Sequence, residues 1–164
     1  MRRLIWVSQY YQTVSREIDV FTIGFTKKDA EKFFDLLNQA GVERLLDVRI
    51  RNRSQLSGFA KRDDLKFFLR ELLGAEYEHR TELAPTEELL DAWRDDQIPW
   101  DEYERRFYEL LAERSVEDKV DRSALETPTV LLCSEHKPDR CHRRLVVEYL
   151  NDQWGATEAN HLVE

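Results

Sequence analysis

The chain is poor in cysteine, glycine and proline, with two, five and four of these among 164 residues, and it has no long apolar run. Two cysteines cannot build the disulfide framework that stabilises small secreted domains. The apolar runs are far shorter than the roughly 20 residues of a membrane-spanning helix. The first seven residues give way at once to polar residues, which is not the pattern of a signal peptide. We therefore expect a cytoplasmic protein with no membrane partner.

Basic residues are fewer than acidic ones: the chain has 25 lysines and arginines and 33 aspartates and glutamates, which gives a net charge of -8. This balance does not support nucleic acid as a partner over the whole surface, since a phosphate backbone requires a basic footprint. One short stretch departs from the average and contains Arg49, Arg51, Arg53, Lys61 and Arg62. It is either a solvated loop or a local site for an anion or nucleic acid.

Alternating strand and helix patterns predict one α/β domain over residues 18–164, preceded by an N-terminal extension, 1–17. Predicted strands lie at 19–24, 42–48, 76–79, 128–133 and 157–163, and predicted helices at 26–40, 63–74, 86–95, 101–114 and 140–150. This order favours an open, mostly parallel sheet with helices on both faces, a Rossmann-like three-layer arrangement. Thr26 is expected to cap the first helix, and Asp63 or Asp64 the second. Residues 3–7 are a candidate edge strand, and 116–126 a charged surface connection.

Three predicted strands end in chemically distinctive residues, namely Gly24-Phe25-Thr26, Asp47-Val48-Arg49 and Cys133-Ser134-Glu135. The carboxyl ends of parallel strands lie at one edge of the sheet, where open α/β sheets bind their ligands. We therefore expect these residues to form one site.

The same segments carry a resemblance to a known family. Thr22-Ile23-Gly24, Asp47-Val48-Arg49 and Cys133-x-Glu135 followed by Cys141-His142-Arg143 resemble, in this order and spacing, the domain-of-unknown-function 488 family. The resemblance extends from about Phe21 to His161 and implies an α/β fold and a prokaryotic origin, but no activity. Phe25 stands where the family pattern has histidine or tyrosine, and Ala84 where it has glycine.

Cys133 is the strongest candidate for a reactive group. A strand end, a helix N-terminus and nearby arginines favour its thiolate, which would be a nucleophile with His142 or Glu135 as acid/base partner. This interpretation describes a cysteine-dependent hydrolase or transferase. The alternatives are a small buried core cysteine and a redox disulfide with Cys141.

We expect no metal and no cofactor. Cys133, His136, Cys141 and His142 include enough zinc ligands, but there is no Cys-x-x-Cys pair. If Cys141 and His142 are neighbours on a helix, their side chains point about 100° apart.

Arginine is suited to bidentate recognition of phosphate or carboxylate. The predicted anion-binding residues are Arg49, Arg140, Arg143 and Thr26, supported by Asp47 and Cys141. The alternative is an internal ion-pair lock between Asp47 and Arg143, or between Glu135 and Arg49. Trp100 is a candidate for stacking on a base.

Three functional hypotheses follow from these residues. The first is an enzyme acting on a phosphorylated, nucleotide-like or nucleic-acid-like substrate. The second is a module that binds such a ligand without catalysis. The third is a structural or interaction domain held by the ion-pair lock. In the first two, the partner is a small anionic or nucleotide-like ligand, and the sequence does not determine the oligomeric state.

Overall fold

A five-stranded parallel sheet forms the centre of the protein in a computed structural model that describes residues 16–53 and 56–163. Its strands are β1 (Ile18–Gly24), β2 (Arg44–Asp47), β3 (Glu76–His79), β4 (Thr129–Cys133) and β5 (Thr157–Leu162). The strand order is β3-β2-β4-β1-β5, and every pairing among the described residues is parallel. The predicted α/β fold is confirmed, whereas the candidate strand at 3–7 lies outside the described residues.

Helices cover both faces of the sheet, as predicted. They are α1 (Ala30–Gln39), α2 (Arg62–Phe68), α3 (Glu87–Arg94), α4 (Trp100–Glu113), α5 (Val116–Lys119) and α6 (His142–Trp154). On one face α1 and α2 pack on β4 residues Val130 and Leu132, and on the other α3 to α6 pack on Leu131 and Cys133. This division follows from the alternation of side chains along a strand. None of the helices in the described part of the chain is both long and apolar enough to cross a membrane.

The predicted helix caps were wrong. Helix α1 begins at Ala30 and is capped by Asp29, whose side chain accepts a hydrogen bond from the Lys32 amide at 2.8 Å. Thr26 is not available as a cap, because its hydroxyl donates to the Ser134 carbonyl and Lys27 has a positive φ of 63°. Helix α2 is preceded by Lys61, so its two aspartates, 63 and 64, lie in the first turn.

The predicted surface connection at 116–126 contributes to the core. It contains the short helix α5 and a helical turn at Ser123–Glu126, and it buries Val116, Val120 and Leu125. Periodicity did not indicate this role because Val116 lies in α5, Val120 directly after it and Leu125 in the separate helical turn.

The direction of the chain connections creates a crevice between β2 and β4. After β2 the chain continues to α2 on one face, and after β4 it continues to α6 on the other. Neighbouring strands with connections on opposite faces leave an opening at their carboxyl ends, where ligands bind in open α/β sheets.

Candidate ligand-binding cleft

A cleft of about 600 Å³ opens at this crevice. Six arginines line it: Arg49, Arg51, Arg53, Arg62, Arg94 and Arg140. Among the lining residues that the structure describes, Glu135 is the one acidic side chain. The cleft is therefore locally basic in a chain whose net charge is -8.

Arg49 is held at the base of the cleft by Asp47. The Arg49 Nε and Nη2 groups donate to the two Asp47 carboxylate oxygens, each at 2.8 Å, and both side chains are almost completely buried. Tyr77 and Asn52 also donate to Asp47 Oδ2, at 2.6 and 3.2 Å. Burial acts to raise the pKa of Asp47, but the hydrogen bonds and charge of Arg49, with the Tyr77 hydroxyl, outweigh it and hold the pKa below its ordinary value.

Among the residues that the structure describes, the third nitrogen of Arg49 has no acceptor. Its Nη1 atom is buried and makes no hydrogen bond with any described residue, although Arg49 lines the cleft. The guanidinium carbon lies 5.3 Å from the centre of the Phe25 ring, a cation–π arrangement. A buried donor without an acceptor costs about 1–3 kcal/mol.

We expect Asp47→Asn to lower the free energy of unfolding at neutral pH by about 3–5 kcal/mol, because it leaves a buried guanidinium without its countercharge. Since the folded-state pKa lies below the ordinary value of 3.8, the carboxylate stabilises the fold above that value. The stabilisation is lost as the pH falls through 3.8 towards the folded-state pKa. The difference between wild type and variant should therefore shrink in acid, measured by urea denaturation at several pH values.

Asp91→Asn is the matched control. Asp91 pairs with Arg51 at 2.9 Å, but both side chains are about half exposed. Exposed pairs contribute about 1 kcal/mol or less. An equally large effect of both substitutions, or a difference at Asp47 that persists in acid, would contradict this role of the Asp47 carboxylate.

Arg143 lies beneath the cleft and does not line it. Its side chain is fully buried, and Nη1 donates to the Glu135 carbonyl and to Cys133 Sγ, the latter at 3.2 Å. Nη2 donates to the His136 carbonyl and Nε to the Thr22 hydroxyl, each at 3.2 Å. Burial lowers the pKa of Arg143 to about 10, so it remains charged at neutral pH. Its bonds hold the segment that follows β4 rather than an external anion.

The structure also separates the other predicted residues. Thr26 is exposed outside the cleft, where its amide donates to the Ser134 carbonyl at 3.2 Å. Glu135 and Arg140 line the cleft, and Glu135 Oε1 lies 4.0 Å from Arg94. Among the described residues neither ion pair of the predicted lock forms, because Asp47 pairs with Arg49 and Glu135 with Arg94.

Cys133, Cys141 and His142 lie together at the floor of the cleft. All three are buried, and the Sγ atoms of Cys133 and Cys141 are in bonding contact as a disulfide. His142 Nε2 donates to the Val48 carbonyl at 2.7 Å, which leaves Nδ1 as the lone-pair nitrogen. Burial lowers the pKa of His142 to about 4, so the ring is neutral at physiological pH.

Aromatic side chains form one wall of the cleft. Trp93, Trp100 and Tyr103 are in mutual contact, and the Trp100 and Tyr103 rings stack with centres 5.0 Å apart. Tyr103 is buried, whereas the two tryptophans are partly exposed. Trp100, the candidate for stacking on a base, lines the cleft as the first residue of α4.

Several residues in and around the cleft were not predicted from the sequence as part of the site. Arg94 and Trp93 have the pattern of an ordinary helix, and Asn52 that of a loop. Tyr77 and His79 carried a usable signal, because alternate residues of one strand share a face. Tyr77 bonds to Asp47, and His79 Nε2 donates to the Arg49 carbonyl at 2.7 Å, so both support the same arginine.

The fold and the cleft define an α/β protein with a basic site at the carboxyl edge of a parallel sheet. Comparison with protein families matches residues 29–150 to the family described as Domain of unknown function DUF488, and the chain belongs to that family. The match confirms the resemblance seen in the sequence motifs, and the description names no activity. No curated protein and no solved structure matches the chain.

Proposed function

We propose that this protein is an enzyme that binds a phosphorylated, nucleotide-like substrate in the cleft. The observation that carries the proposal is a fixed Arg49 whose Nη1 donor has no acceptor in the part of the chain that the structure describes. A guanidinium that is already oriented by a carboxylate loses little entropy when it binds an oxyanion. A phosphate oxygen at this position would be the acceptor that Nη1 lacks among the described residues.

The aromatic wall and the size of the cleft support a nucleotide rather than a bare phosphate. Trp93 and Trp100 offer partly exposed ring surface beside the arginines, and bases stack on such surfaces. The volume of about 600 Å³ is within the range of small-molecule sites, about 300–1,000 Å³. The acidic balance of the chain argues against a long nucleic-acid surface, so the expected ligand is a mononucleotide or a single nucleic-acid end.

Three groups support catalysis at the same place. Glu135 lines the cleft with its side chain about 43% exposed, as a general acid or base that a ligand can reach. Cys133 and His142 lie at the floor as the candidate nucleophile and its partner, provided that the cysteines are reduced. If the protein converts no substrate, the same cleft is that of a nucleotide-binding module without catalysis.

We expect adenosine monophosphate to bind more tightly than inorganic phosphate or adenosine alone, because it engages both the arginines and the aromatic wall. Arg49→Lys keeps the charge but loses the planar fork, and we expect it to weaken adenosine monophosphate binding at least about tenfold. The measurement is isothermal titration calorimetry in a reducing, phosphate-free buffer, followed by chromatography for products from a nucleotide panel.

Arg105→Lys is the control, because Arg105 is an exposed residue of α4 that pairs with Glu102 and Glu109 away from the cleft. It should bind the nucleotide as the wild type does. Equal affinity of the Arg49 variant and the wild type, or no nucleotide binding at all, would refute the proposed site. Binding without any product would favour the non-catalytic module.

A further inference from the structure

We propose that Cys133, Cys141 and His142 form a site for a divalent transition metal, with zinc as the best-fitting ion. Their ligand atoms all lie within 4.8 Å of one another, and all three residues are buried. Two thiolates and one imidazole are a donor set that zinc prefers. The site shares the floor of the cleft but requires none of the cleft arginines, so it can bind its ion whether or not a nucleotide binds. While the ion is bound, Cys133 and His142 are its ligands, and the thiol chemistry proposed above belongs to the reduced, metal-free form.

The backbone around the start of α6 brings the three ligands together. Cys141 is not in the helix, because it has extended dihedral angles of -140° and 136° and precedes the first helical residue, His142. The sequence pattern favoured no metal because it placed Cys141 and His142 side by side on a helix, with side chains about 100° apart. That premise is wrong. Cys133 reaches the same point from the end of β4.

The spacing of the two cysteines suits a shared ion better than a direct bond. Their Cα atoms are 7.5 Å apart, whereas disulfides usually span about 4.4–6.8 Å. Two thiolates bound to one metal ion have an atom between them and accommodate the wider separation. The contact between their sulfur atoms is also the geometry of an oxidised pair, so the disulfide is the competing state that an experiment must separate.

The neighbours of the three ligands are arranged as in known metal centres. Metal-binding histidines donate their second ring nitrogen to a carbonyl or carboxylate, and His142 Nε2 does so to Val48. This bond leaves Nδ1 as the neutral nitrogen whose lone pair is available to a metal ion. Arg143 Nη1 donates to Cys133 Sγ at 3.2 Å, which stabilises negative charge on a thiolate ligand.

Three protein ligands leave one position of a tetrahedral ion open. Among the described residues no fourth histidine, cysteine or carboxylate joins this group. All three ligands line the cleft, so a water molecule or a ligand atom in the cleft would complete the coordination. Catalytic zinc sites have this arrangement, whereas structural sites have four protein ligands.

The test is metal analysis of the full chain purified under anaerobic, reducing conditions, before and after incubation with zinc. We expect one zinc per chain, and X-ray absorption should show two sulfur neighbours at about 2.3 Å and a nitrogen at about 2.0–2.1 Å. Substitution with cobalt should produce visible d–d bands and a thiolate charge-transfer band. Both thiols should resist alkylation until a chelator removes the ion.

His142→Gln and Cys141→Ser should each weaken zinc binding at least about tenfold. His136→Gln is the matched control, because its ring contacts Lys28 outside the cluster and should leave affinity unchanged. If Cys141→Ser fails to fold, the His142→Gln variant and the X-ray absorption spectrum of the wild type still show whether these residues bind zinc. The proposal would be overturned if the folded, reduced wild type bound no zinc, or if the coordination shell of its zinc contained no sulfur. It would also be overturned if the Cys133–Cys141 disulfide persisted under reducing conditions.

Discussion

Gly24→Ala is expected to destabilise the protein by about 3 kcal/mol or more, because a methyl group cannot fit at this position. A Cβ atom there would lie 1.6 Å from the Glu135 carbonyl oxygen and 3.0 Å from Arg143 Nη1. The first of these is a backbone atom, which cannot rotate away as a flexible side chain can. Relief would require the segment after β4 to move, and with it the floor of the cleft.

The measurement is urea denaturation of the variant beside Gly58→Ala. A Cβ atom added at Gly58 would meet no heavy atom of the described residues within 4 Å, its two chain neighbours aside. The residue has no positive φ, so its substitution should change stability by only about 0.5 kcal/mol. Nucleotide affinity should also fall in Gly24→Ala but not in Gly58→Ala. Similar stability of the two variants would show that the close approach of Gly24 to Glu135 has no energetic importance.

Arg143→Met is expected to lower the free energy of unfolding by about 3–5 kcal/mol, or to prevent folding. The substitution keeps much of the apolar volume but removes every donor of the guanidinium. The carbonyls of Glu135 and His136 would then lose a charged hydrogen-bond partner, each at a cost of about 1–3 kcal/mol where no water replaces it. Chemical denaturation of wild type and variant gives the difference directly.

Arg140→Met makes the same chemical change three residues earlier, at an exposed position on the rim of the cleft. Its effect on stability should be within about 0.5 kcal/mol. The sequence pattern indicated the same role, anion binding, for both arginines. In the structure, Arg143 is buried and supports the fold, whereas Arg140 is exposed at the cleft. A mild effect at Arg143 would contradict its place as the centre of the buried network.

Much of the fold could be predicted because its signals are local. The strand that ends at Gly24 and the one that ends at Cys133 were both found from short apolar runs. Parallel order then followed from the alternation of strands with helices, and it placed three strand ends at one edge. The candidate site was located by topology alone, before any side-chain contact was known.

The roles of particular side chains could not be predicted, because small shifts in an element boundary redirect them. The sequence predicted a helix from residue 140, and the structure begins it at His142, which takes Cys141 out of the helix. Cys141 N donates to the Pro138 carbonyl in the turn that precedes the helix. A change of two residues in the start of the helix thus brings the side chains of Cys141 and His142 together instead of directing them apart.

The sequence by itself determined the class of fold, the family and the edge of the sheet where the candidate site lies, since these depend on periodicity and motif order. Only the tertiary structure decided that Asp47 pairs with Arg49, that Arg143 is buried beneath the cleft, and that His142 bonds to Val48, 94 residues away. The physical reason is that hydrogen bonds and burial depend on the direction of side chains across the assembled sheet. That direction is settled by packing between distant segments and not by neighbours in the chain.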